Sequence, residues 1–173
     1  MKIKKLIISL SLSLLFTGQA IAADQTLRQR VKEASKPSTT SARILQLASD
    51  EAKQVRLAVA SNRRAPIEAH IKLAIDTSID VRAALALNIN GPEQAKLMLA
   101  KDQETEVRLR LAKCGYMFPS VLEILAEDES ADVRKLVAIN YNATEEVLVS
   151  LKHDPNSEVR RKVKARLGFP VGH

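Results

Sequence analysis

Arginine, aspartate and asparagine recur along this chain at one fixed distance, and the regularity limits what their chemistry can be for. Arg56, Arg82, Arg108, Arg134 and Arg160 each follow a valine and stand 26 residues apart, with Arg30 extending the series backwards. Asp50, Asp76, Asp102, Asp128 and Asp154 keep the same spacing. Asn62, Asn88 and Asn140 form a third series, in which Cys114 takes one place and Arg166 the last. A guanidinium and a carboxylate form charge-assisted, often bidentate hydrogen bonds. Such contacts cap helices and tie one loop to the next. An inward-facing Asn needs hydrogen-bond partners of its own, and a carbonyl at a helix end is the expected one. Chemistry repeated this evenly points to structure rather than to a single reaction centre.

The residues that could catalyse are not arranged to do so. His70, His153 and His173 fall at different places in the period and make no HxxxH or HExxH pair. No GxSxG, phosphate-binding loop or glycine-rich fingerprint occurs. The single cysteine, Cys114, allows no intrachain disulfide, so in an oxidising compartment the fold must hold by packing. It reads as a small buried hydrophobe. No catalytic residue, metal ligand or cofactor site is predicted, and the chain reads as a non-enzyme.

The elements follow from the period. With valine as position 1, position 5 is Val59, Leu85, Leu111, Val137 and Val163, and position 6 is Ala60, Ala86, Ala112 and Ala138. Positions 1, 5 and 8 share one helical face, and alanine at position 6 admits a close neighbour. The aspartate at position 22 is expected to open each helix by capping its first turn, with Asp154-Pro155 placing proline at the first helical position. Acids at Glu104, Glu106, Glu129, Asp132 and Glu158 suit the helix dipole there. A second, shorter helix starts at Pro66, Pro92, Pro119 or Thr144 and turns Ile71, Leu73, Leu97, Leu99, Leu122, Leu125, Leu148 and Leu151 inward. Two helices in 26 residues cannot bury both faces alone, and stacking buries them. A period of this size marks a solenoid. The expected fold is all-α, with about five two-helix repeats whose units start near 55, 81, 107, 133 and 159.

The pattern LA-x-D-x4-VR-x2-[LV]-A-x-N, then a loop and a proline, resembles the leucine-rich repeat variant, related to short HEAT-like repeats. The resemblance covers about residues 41–170. It implies α and short, sometimes 3₁₀, helices wound into a right-handed α-solenoid. Some members of that family carry an iron–sulfur cluster on a separate cysteine-rich segment, which one cysteine cannot supply. The units here are slightly long, and the third shifts its proline by one place to Pro119.

Outside the period, Lys2, Lys4 and Lys5 precede an apolar run from Leu6 to Phe16 and an Ala20-x-Ala22 site, the three-part pattern of a secretory signal peptide. Residues 1–22 read as that leader, 23–40 as an N-terminal capping segment with Leu27 and Val31 on one side of a helix, and 41–173 as the solenoid. Cleavage near Ala22 would place the mature chain in the periplasm or outside the cell. No later segment is long enough to cross a membrane, which takes about 20 apolar residues. Because the leader holds three lysines and no acid, the formal charge falls from +7 to +4 on its removal.

Two surfaces could meet a partner. Tyr116, Phe118, Tyr141 and Phe169 all fall in the loop between the two helices of a unit, where earlier units carry Arg63 and Arg64. They predict an aromatic-rich edge of the kind protein interfaces favour; the competing reading makes the rings plugs between units. The last helix brings Arg160, Arg161, Lys162, Lys164 and Arg166 with no acid among them. It reads either as a capping helix with a solvated face or as a contact for a polyanion such as anionic lipid, envelope polymer or nucleic acid. The expected function is an exported scaffold that binds another protein through an extended surface, with polyanion binding through the basic helix as the alternative. Export makes nucleic acid an awkward ligand.

Overall fold

A computed structural model describes residues 24–168. The leader, with Lys2, Lys4, Lys5, Ala20 and Ala22, lies outside the described residues, as do Phe169 and His173. Among the described residues the chain is all-helical. Helix α1 spans 24–35. It is followed by α2 (Ser41–Leu47), α3 (Lys53–Ser61), α4 (Ile67–Leu73), α5 (Ile79–Leu87), α6 (Glu93–Leu99), α7 (Thr105–Lys113), α8 (Pro119–Ala126), α9 (Ala131–Ile139) and α10 (Glu145–Ser150). A 3₁₀ turn (Leu151–His153) then leads to α11 (Ser157–Arg166). No helix among the described residues is long and apolar enough to cross a membrane.

The helices form two rows. The longer ones pack in chain order, α3 on α5, α5 on α7, α7 on α9 and α9 on α11, and the shorter ones do the same from α2 to α10. Between the rows lies one core. Val55, Val81, Val107, Val133 and Val159 are fully buried, as are the residues at positions 5 and 6. The small alanines at position 6 let adjacent long helices approach. Inside the short row the buried column is Leu47, Leu73, Leu99, Leu125 and Leu151, joined by Ile44, Leu122 and Leu148. Ile71 and Leu97, expected to point inward, are only partly buried. They stand one residue further round the helix from the buried face, and their column continues as the exposed Glu123 and Val149.

The aspartates do not cap the long helices as expected. Each lies two residues before the true N-cap, where its Oδ1 accepts the N–H of Ala52, Ser78, Glu104, Ser130 or Asn156 at 2.8–2.9 Å. The motif is an Asx-turn that leads into the helix. Of these five N-cap residues only Asn156 caps its long helix through its side chain, accepting from Glu158 and Val159. Pro155 therefore precedes the helix rather than opening it. Glu104 is itself an N-cap and Glu129 lies upstream, so the first-turn acids are Asp80, Glu106, Asp132 and Glu158. The short helices begin where proline and threonine placed them, with N-caps at Pro66, Pro92, Phe118 and Thr144. All four sit at position 12. The displaced Pro119 is the first helical residue after Phe118.

Candidate functional site

The arginine and aspartate series pair, but across units. Arg56, Arg82, Arg108 and Arg134 each present Nε and Nη2 to the aspartate 20 residues on, with every Nε–Oδ2 distance 2.6 Å. The companion Nη2–Oδ1 bonds are 3.0–3.2 Å. Nη1 of the same arginine donates to the main-chain carbonyl of the aspartate six residues before it. One guanidinium thus clamps its own turn and the next. Asp102, whose nearest arginine in sequence is Arg108, gives that residue only its carbonyl; its carboxylate belongs to Arg82. The carboxylate hydrogen bond holds each of these guanidiniums more firmly protonated than an isolated arginine. At the amino end Arg30 Nε lies 3.0 Å from Asp50, off the hydrogen-bonding direction.

The asparagine series ties the other ends of the long helices together. Asn62 donates to Ala34 O, Asn88 to Ala60 O and Asn62 O, and Asn140 to Ala112 O and Cys114 O. Their Oδ1 atoms accept from Arg64, Asn90 and Asn142 two residues on, fixing each loop. Arg166, in the asparagine's place, donates to Asn140 O at 2.8 Å. Cys114 has no amide to give, so Ala86 O, the counterpart of Ala60 O and Ala112 O, would lack its side-chain donor. Lys96 supplies it: its buried ammonium reaches Ala86 O at 2.7 Å, and also Leu85 O, which already accepts the Asn88 N–H, at 3.1 Å. A Cβ on Gly91 would come within 2.9 Å of Lys96 Cε, so glycine leaves room for the lysine stem. Burial pushes the Lys96 ammonium down to about 8.

Lys96 shares position 16 with Ile44, His70, Leu122 and Leu148, and the sequence reading did not single it out. The signal was present: two polar residues in a column otherwise apolar. His70 is also buried and is held below its ordinary value mainly by burial, with Lys96 adding to the effect. Its Nδ1 has no hydrogen-bond partner among the described residues, while Nε2 lies 3.4 Å from the Asn88 amide. Cys114 is buried as expected, its thiol against Tyr116 O. Among the described residues no cluster of His, Cys, Asp and Glu is placed to hold a metal ion.

The loops held by the asparagines lie side by side, as the bonds between them require, and positions 9 and 10 project from them. Tyr141 is 90% exposed and Tyr116 64% exposed. Arg63 and Arg64 stand out on the same loop of an earlier unit. Phe118 does not join the exposed edge: it packs against the core, and its ring meets Tyr116 edge-on with centroids 6.5 Å apart. As the N-cap of α8 it sits one residue from the buried chain, so its ring turns in while the tyrosines remain out.

The basic helix is largely committed to contacts within the chain. Arg160 holds the carbonyls of Asp154 and Pro155, Arg161 pairs with Glu158, and Arg166 closes on Asn140. Lys162 and Lys164 remain as its partly exposed charges.

A surface the sequence reading passed over runs across the long helices. Leu57, Ile79, Ala84 and Leu87 line a groove over α3 and α5, rimmed by Asp80, Glu106 and Arg110. Leu109, Leu136 and Ile139 line another over α7 and α9, rimmed by Lys113, Lys135, Lys162 and Glu158. Ile79, Leu87 and Ile139 are exposed. No family model, curated protein or solved structure matches the chain.

Proposed function

We propose that this chain is an exported, non-catalytic repeat scaffold that binds another protein across its long helices and their loops. On this reading it is a right-handed α-solenoid of about five 26-residue units, similar to the leucine-rich repeat variant and HEAT-like repeats. It is released to the periplasm or the exterior after cleavage near Ala22. The observation that carries the binding role is the pair of charge-rimmed apolar grooves over successive long helices, since exposed apolar patches with polar rims mark interaction surfaces. Tyr116 and Tyr141, with Arg63 and Arg64, extend that surface around the loop edge. Polyanion binding through the last helix is the weaker reading, because most of its arginine chemistry is spent within the fold.

The test is recovery of a partner from envelope extract by the mature protein, compared with two variants. Leu87→Glu with Ile139→Glu should abolish recovery while the melting temperature stays near that of the parent. Tyr116→Ala with Tyr141→Ala should weaken binding by at least about 2 kcal/mol, the scale of an interface hot spot. A partner held equally by the parent and both variants would overturn this reading. Binding that collapses between 50 and 200 mM salt and ignores both variants would favour the polyanion reading. Mass spectrometry of the exported form should find Ala23 at its N-terminus; an intact Met1 on a cytoplasmic protein would end the export proposal.

A further inference from the structure

Among the described residues, Arg160 makes only half of the bonds its counterparts make. Its Nη1 donates to the carbonyls of Asp154 and Pro155 at 2.7 and 3.0 Å, as Arg108 and Arg134 do five and six residues behind them. The Nε–Nη2 edge, which in Arg56, Arg82, Arg108 and Arg134 grips an aspartate, meets no carboxylate among the described residues. Beside it lies a pocket of about 280 Å³ lined by Lys152, His153, Arg160, Val163, Lys164 and Leu167.

The 26-residue register identifies this pocket. Lys152, His153 and Arg160 stand where Ala74, Ile75 and Arg82 stand in an interior groove, and where Ala100, Lys101 and Arg108 stand in the next. In those grooves the opposite wall is the following turn, with Asp102 or Asp128 on it. Beside Arg160 no following turn among the described residues supplies that wall, and Val163 and Leu167 line the pocket instead. The chain also shows what fills such a groove. Every ladder aspartate follows a buried leucine by three residues: Leu47 and Asp50, Leu73 and Asp76, Leu99 and Asp102, Leu125 and Asp128, Leu151 and Asp154.

We propose that the pocket beside Arg160 is a socket for a segment of a partner protein bearing a leucine three residues before an aspartate. The carboxylate closes bidentately on Arg160 Nε and Nη2, and the leucine packs on the half-buried Leu167, over Val163. Lys164 at the rim favours the negative charge. The proposal rests on the repeat reading, since the partner supplies what the next unit supplies in the interior, but it does not depend on which face holds the main partner.

The experiment titrates the mature protein with a peptide of the chain's own residues 93–103, the segment that faces Arg82 inside the fold. Saturable binding is expected. It should fall at least about tenfold, the loss expected for a charged hydrogen-bonded pair, when the peptide's aspartate becomes asparagine and again in the Arg160→Gln protein. Replacing the peptide's first leucine (Leu97) should matter little, and replacing the one three residues before the aspartate (Leu99→Ala) should weaken binding. Lys72→Gln, which removes one exposed charge elsewhere, should change nothing. No binding by a folded protein, or binding indifferent to Arg160 or to the peptide's aspartate, would overturn the socket. Capture of anionic vesicles through Arg160 without capture of the peptide would also overturn it. The repeat reading fails separately, if Asp128→Ala leaves stability untouched.

Discussion

At Cys114 and at Arg160 the 26-residue bonding pattern lapses, and the chain treats the two gaps differently. At Cys114 the missing amide would strand a main-chain carbonyl, Ala86 O, inside the core, and a lysine from another place in the period bends in to meet it. At Arg160 the missing carboxylate leaves a guanidinium edge at an exposed end, and nothing in the described chain replaces it. Water explains the contrast. A buried acceptor without a donor costs about 1–3 kcal/mol, whereas an exposed guanidinium is satisfied by solvent. An interior gap therefore has to be mended, and a terminal one can stay available for binding.

The sharpest way to break this comparison is to cut an interior rung. Arg108 and Asp128 are 7% and 3% exposed at their side chains, and removing one partner of a buried pair costs on the order of 3–5 kcal/mol. Asp128→Ala should reach the lower end of that range in urea unfolding, while Arg160→Ala should stay within about 1 kcal/mol, as surface changes do. Equal losses would mean that the open rung is as structural as the closed ones.

The mended gap carries a pH signature. The folded-state Lys96 ammonium titrates at about 8 against an ordinary 10.5. Between those values the unfolded chain binds the extra proton, so stability should rise with pH across the window. Relative to Lys96→Leu, the gain should be on the order of 2–3 kcal/mol between pH 8 and 10.5. A difference that is flat or falls with pH would show that the ammonium is no harder to charge in the fold than in the unfolded chain, and so is not buried on these carbonyls.

A smaller effect tests whether the lysine really stands in for an asparagine. Cys114→Asn should help the Lys96→Leu protein by about 1 kcal/mol more than it helps the parent, because only there is Ala86 O vacant. Additive changes would detach the two positions. Smallest of all, Tyr116→Ala with Tyr141→Ala should move unfolding by less than about 0.5 kcal/mol, whatever it does to binding. A larger loss would make those rings part of the core.

Much of this was legible in the sequence because the period repeats its own evidence. The helix starts at position 12, the buried valines and the asparagine-to-carbonyl ties all follow from register and side-chain chemistry. Proximity in sequence is a poor guide at Asp102. Six residues from Arg108 suggests a side-chain pair, yet the Asx-turn aims the carboxylate back at Arg82. An aspartate before a helix fits a cap and an Asx-turn equally well until the intervening residue's backbone is known. Lys96 stayed hidden because a lysine is read as surface by default, and only the apolar residues at its register position contradict that. The grooves of Leu87 and Ile139 were missed because a half-exposed leucine looks like core in a one-dimensional pattern.

The clamp made by each arginine has a direction in time as well as in space. Its carbonyl partner precedes it by six residues and its carboxylate follows by 20. As the chain leaves the ribosome amino end first, an arginine can grasp the turn behind it at once. It must then wait for the one ahead, roughly 1–4 s at ordinary elongation rates. Each newly made stretch can thus settle on the last without waiting for the whole, always ending in a fork still open. Among the described residues, Arg160 is the fork that keeps this open form.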